Sequence, residues 1–144
     1  MLRLFVTVLL VSAAVATDFT KCDSGTPPKA LAVSGCAKQP CDFKPGARLD
    51  VNVTFGVDHK VTKLTPDVKA LVLGITTDYP LPQKDGCRAL VGASCPLEDG
   101  ESVTYSLQMN IPPIQIKSDV KLTFTIADDS SKIVTCFKLT GQVA

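Results

Sequence analysis

Two-residue alternation of apolar and polar side chains constrains this chain more than any other feature. Over residues 49–57 the apolar positions are Leu49, Val51, Val53, Phe55 and Val57, with Asp50, Asn52, Thr54 and Gly56 between them. Residues 103–111 repeat the pattern through Val103, Tyr105, Leu107, Met109 and Ile111, and residues 120–126 through Val120, Leu122, Phe124 and Ile126. A helix would scatter such positions around its axis, whereas a strand places them all on one face. Ala30–Val33 predicts a short strand. Ile133, Thr135, Phe137, Leu139 and Val143 predict a weaker last one. Residues 65–75 are ambiguous. Thr65-Pro66-Asp67 matches a helix start, and Val68, Leu71, Val72 and Ile75 fit helical spacing. The segment is short, rich in β-formers and closed by Gly74, so it is read as a strand like its neighbours. Turn signals at Lys44-Pro45-Gly46, Asp85-Gly86, Asp99-Gly100 and 128–131 divide the runs. Strands with one apolar face each must bury those faces together, and an all-β, two-sheet antiparallel sandwich is the economical solution.

The first 16 residues read differently. Arg3 is their one charge, an apolar run follows over 4–11, and Ala14-Val15-Ala16 closes the stretch. This is the pattern of a secretory signal peptide. The run is shorter than the roughly 20 apolar residues that span a bilayer. Residues 1–16 are therefore read as a leader, and 17–144 as a single domain without a transmembrane anchor. Behind such a leader six cysteines, Cys22, Cys36, Cys41, Cys87, Cys95 and Cys136, imply three disulfides, which can pair in fifteen ways. Cys36 with Cys41 and Cys87 with Cys95 could close small local loops, leaving Cys22 with Cys136 to join the ends of the domain. Closing so long a loop would stabilise the fold by roughly 4–5 kcal/mol on a chain-entropy argument. Zinc is a poor alternative, because the chain has one histidine and no CxxC pair.

Chemistry is sparse. The chain carries 15 basic and 14 acidic residues without a basic run, which argues against a nucleic-acid partner. His59 is the one histidine and follows Asp58. On a strand the two would point opposite ways, so His59 reads as an exposed polar residue near a turn rather than a base held by a carboxylate. No G-x-S-x-G elbow, calcium loop or phosphate-cradling glycine loop is present. Glu98, Glu101, Asp128 and Asp129 sit at turns, where they cap local backbone. No enzyme, metal or cofactor is implied. Asn52-Val53-Thr54 is a glycosylation sequon whose asparagine points to solvent if Val51 and Val53 point inward. Two loops break the polar-loop rule: 78–83, with Tyr79 and Leu81 interleaved with prolines, and 111–116, with Ile111, Pro113, Ile114 and Ile116. Their side chains either plug one end of the core or frame the mouth of an apolar cavity.

The ordered set Cys22, Cys36 and Cys41, then Asp85-Gly86-Cys87, then Cys95-Pro96-Leu97 with Gly100 and Tyr105, then Cys136, resembles the ML lipid-recognition family. That family includes the Niemann–Pick type C2 proteins and the mite group 2 allergens. Asn52-Val53-Thr54-Phe55 strengthens the likeness, which runs from Cys22 to the C-terminus. The resemblance implies an immunoglobulin-like β-sandwich with an apolar cavity between its sheets. It implies the pairs Cys22–Cys136, Cys36–Cys41 and Cys87–Cys95. It places Tyr79, Pro113, Ile114 and Ile116 along a lipid tunnel; Leu81 and the inward-facing Phe55 and Phe124 join them as candidate lipid contacts. The implied ligand is an apolar lipid, a sterol or a fatty acid, carried by a secreted or lysosomal monomer, with a lipid-accepting membrane protein or receptor as the implied partner. An innate-immunity protein that presents a microbial lipid is the alternative within the same fold.

Overall fold

The computed structural model describes residues 16–111, 113 and 117–143. Among these residues nine strands follow one another: β1 (Thr20–Lys21), β2 (Ala30–Val33), β3 (Cys41–Phe43), β4 (Arg48–Gly56), β5 (Thr65–Val72), β6 (Ile75–Asp78), β7 (Ser102–Asn110), β8 (Ser118–Ala127) and β9 (Ile133–Val143). They form two sheets. The larger runs β1-β9-β8-β5-β6, with β3 also pairing along β9, and the smaller runs β2-β4-β7. Every pairing is antiparallel except β3 with β9.

The alternation dictates which face closes on which. Leu49, Val51, Val53 and Phe55 of β4 and Val103, Tyr105, Leu107 and Met109 of β7 are buried. They meet Val120, Leu122, Phe124 and Ile126 of β8 and Phe137 and Leu139 of β9 from the other sheet. Each fully buried side chain of this size contributes roughly 1.5–3 kcal/mol. β9 departs from alternation, with Val134 through Phe137 all buried. Its outer face is covered by the N-terminal segment, where Cys22 bonds Cys136 and the Thr135 hydroxyl donates to the Thr26 carbonyl.

Segment 65–75 is not helical, but the strand in it stops at Val72, and Ile75 already begins a second strand that the spacing did not signal. β5 and β6 form a hairpin across Leu73-Gly74, with Val72 opposite Ile75. Both turn residues have positive φ, 51° at Leu73 and 77° at Gly74, as a two-residue turn matched to the strand twist requires. Pro66 is accommodated because β6 covers only Lys69–Val72, leaving one edge of β5 free beside it. All three disulfides are those the cysteine pattern implied: Cys22–Cys136, Cys36–Cys41 and Cys87–Cys95.

Candidate functional site

The two sheets do not pack evenly along their length. Between Val51, Val53, Tyr105 and Leu107 on one side and Val68, Phe124 and Phe137 on the other, the remaining space is about 10 Å³, no more than one water needs. The Phe124 and Phe137 rings stack there with centroids 4.7 Å apart. Towards the pole where β5, β7 and β9 end and β8 begins, the sheets enclose a cavity of about 220 Å³. Phe43, Val72, Met109, Val120 and Leu122 form most of its wall, with Tyr79 and Leu73 toward the hairpin.

Two local features shape this cavity. Phe43 pairs with Val143 of β9, and its ring lies over Gly141, where a Cβ would come within 2.1 Å of it. Tyr79 follows β6, and its backbone N–H donates to Val68 as though the strand continued. Its ring lines the cavity while its hydroxyl donates to the Asn110 carbonyl (2.9 Å) and accepts from the Asn110 N–H (3.1 Å). Asn110 ends β7, an edge strand of the smaller sheet. One hydroxyl thus occupies both outward backbone groups of a sheet edge and clasps one sheet to the other beside the cavity. The expected interleaving of Tyr79 and Leu81 resolves into two environments. Tyr79 is part of the cavity wall, and Leu81 is buried in the core with 9% exposure.

The other candidates separate likewise. Phe55 and Phe124 belong to the packed interior and are not among the lining residues, and Pro113 is exposed. Ile114 and Ile116 lie outside the described residues. Asn52 is exposed on β4. Phe43, Met109, Val120 and Leu122 were not singled out from the sequence. The signal for Met109, Val120 and Leu122 was inward alternation, which Leu107 and Phe124, two residues away on the same strands, share without lining the cavity; Phe43 had no such signal.

His59 departs from expectation. Residues 58 and 59 leave β4 in a bend, not an extended strand, so Asp58 and His59 turn toward each other. The Nδ1 of His59 lies 2.6 Å from the Asp58 carboxylate, and its Nε2 lies 2.8 Å from Asp128. Each ring nitrogen thus faces a carboxylate, one on its own bend and one on the turn between β8 and β9. Asp128 also accepts from the Ser130 and Lys132 N–H groups, the capping role expected of a turn aspartate. Among the described residues no acidic, histidine and cysteine cluster could hold a metal ion. No helix among them is long and apolar enough to cross a membrane.

Comparison with known proteins points one way. Residues 16–143 match the ML domain. NPC intracellular cholesterol transporter 2 of Bos taurus is 28% identical over 115 residues, 80% of this chain and 76% of the relative. Mite group 2 allergen Lep d 2 of Lepidoglyphus destructor is 28% identical over 142 residues, 99% of this chain and 96% of the allergen. The crystal structure of a Niemann-Pick type C2 protein from Japanese carpenter ant shares the fold at a TM-score of 0.76. It is 16% identical and the match covers 88% of this chain and 99% of that one.

Proposed function

Because the chain belongs to the ML-domain family, we propose that it is a non-catalytic lipid-binding protein that shelters an apolar chain between its sheets. One observation carries this reading: a cavity of about 220 Å³ with an almost wholly apolar wall, next to a sandwich middle that leaves only about 10 Å³. A monomeric domain that needed only stability would close such a space, because unfilled core volume is destabilising. The bovine relative, a cholesterol transporter by name, supports the same ligand chemistry.

Size selects among lipids. The cavity is smaller than the roughly 300–1,000 Å³ typical of sites for drug-sized ligands. About six methylenes buried in it would contribute about 5 kcal/mol, only slightly more than the lower bound of about 4 kcal/mol lost on association. Useful affinity therefore needs either a chain that continues past the mouth or a mouth that widens. A single acyl chain satisfies the first, while a rigid sterol ring system needs the second. The reading is thus a fatty-acid or acyl-lipid carrier in which Tyr79, Phe43 and Leu73 meet the chain near the opening. Residues 1–16 serve as the secretory leader, Asn52 is placed to carry a glycan, and the protein works outside the cell or in the lysosomal lumen.

Native mass spectrometry of protein secreted from eukaryotic cells tests this, followed by denaturing extraction. A noncovalent adduct that extracts as fatty acid or acyl lipid is the expected result. A sterol would mean that the sheets part further than they do here. Protein that emerges bare and then takes up neither fatty acid nor sterol overturns the reading.

A further inference from the structure

At the pole opposite the cavity, the bend after β4 meets the turn between β8 and β9, and the contact is His59. Its Nδ1 is 2.6 Å from Asp58 Oδ1 and its Nε2 is 2.8 Å from Asp128 Oδ2. β4 belongs to the smaller sheet and β8 to the larger. Among the ion pairs of the described residues, His59–Asp128 is the one that links connections of different sheets; the rest join neighbours within a strand, hairpin or turn. Asp128 is anchored, 5% exposed and accepting from the Ser130 and Lys132 amides. Asp58 is exposed.

The proton count decides what this arrangement is. A carboxylate oxygen only accepts, and a neutral imidazole has one N–H and one lone pair. Neutral His59 can donate to one aspartate and must turn its lone pair on the other. Both contacts hold together only when both nitrogens carry protons. We propose that His59 is a proton-operated tether between the two sheets, closed as the imidazolium and loosened when one proton leaves.

The surrounding charges agree. Asp58 on the same bend, then Asp128 on the β8–β9 turn, raise His59 above its ordinary value of 6.5 through hydrogen bonds that outweigh burial. Asp58 is lowered by its hydrogen bond to His59 and by Lys132 of the same turn. Burial pushes the Asp128 carboxyl up, but the Lys132 amide, His59 and the Ser130 amide together hold it below 3.8. Lys29, from the segment before β2, lines the adjoining groove together with Lys132, Asp58 and His59. The sign follows. With a raised folded value, the stabilisation by His59 is complete below about pH 6.5 and lost as pH rises through that folded value. The aspartates, with depressed values, contribute above about pH 4 and fail as pH falls through theirs. The tether is therefore closed in mildly acidic surroundings and loosens toward alkaline pH. With one histidine in the chain and every cysteine in a disulfide, no other side chain of ordinary pKa titrates in that range.

The test uses the whole secreted protein. A carbon–proton NMR titration of its single imidazole from about pH 5 to about pH 9 should show a midpoint above 6.5. The Ser130 and Lys132 amides should shift with the same midpoint, since their acceptor is the carboxylate that His59 holds. Asp58→Asn should move the midpoint down while leaving the Asp128 turn intact. The melting temperature of the protein relative to His59→Gln should be higher at about pH 5.5 and converge by about pH 9. A wild-type midpoint at or below 6.5, or Ser130 and Lys132 amides that ignore the titration, overturns the tether. The titration of the unmodified protein decides the matter even if His59→Gln fails to fold.

Discussion

Taking one oxygen from Tyr79 separates its two tasks. Tyr79→Phe keeps the ring on the cavity wall but abandons the Asn110 N–H and C=O, which then turn to water. A net loss of about 1 kcal/mol is expected, since hydrogen bonds of this kind contribute about 0.5–1.5 kcal/mol each and the freed groups can be hydrated. If the clasp limits how readily the sheets part, exchange of a fluorescent fatty acid should accelerate by about fivefold, the rate equivalent of that energy. Stopped-flow release at matched occupancy measures it. Tyr79→Asp should instead weaken binding, because it removes the apolar ring as well as the clasp. Gly141 sets a second limit at this scale. With the Phe43 ring where its Cβ would be, no other residue fits there unless Phe43 moves into the cavity. The apolar wall near β3 thus depends on an atom that is absent from β9.

At the scale of elements, β4, β7 and β8 were legible to within a residue or two because each has one face in the core and one in solvent. β3 and β6 were not. Cys41–Phe43 is three residues long and pairs parallel to a strand about a hundred residues away, so nothing local marks it. All four residues of β6 are exposed, which erases alternation. The cavity was hidden for a different reason: Met109 and Leu107 are both inward residues of β7, and only the distance between sheets tells void from filled space. The link between His59 and Asp128 spans 69 positions, beyond any local pattern. The β5–β6 hairpin also supports a prediction of its own. Leu73 holds φ at 51° with 71% of its surface exposed. A left-handed conformation brings Cβ against the following carbonyl oxygen and costs an ordinary residue about 1–2 kcal/mol, and asparagine tolerates it better. Leu73→Asn should therefore stabilise the protein by about 1 kcal/mol in urea unfolding. Weaker fatty-acid binding by that same variant would place the Leu73 side chain in contact with the ligand.

Across the whole molecule, the sandwich has a filled middle, an open apolar pole held by Tyr79 and a polar pole held by His59. The larger sheet outreaches the smaller, so its inner face runs on past β7 to the β5–β6 hairpin, and the cavity lies toward this overhang. The Cys22–Cys136 bond, 114 positions apart in sequence, adds a property that belongs to no single strand. It makes nearly the whole domain one covalent ring. A protease that cuts any one surface loop between these cysteines opens the ring without releasing a piece. On a non-reducing gel the nicked protein should stay a single species, and it should fall into two fragments only after reduction. Fragments that part without reductant would show that this bond is not formed. In a compartment rich in proteases, such a molecule can be cut once and remain one object.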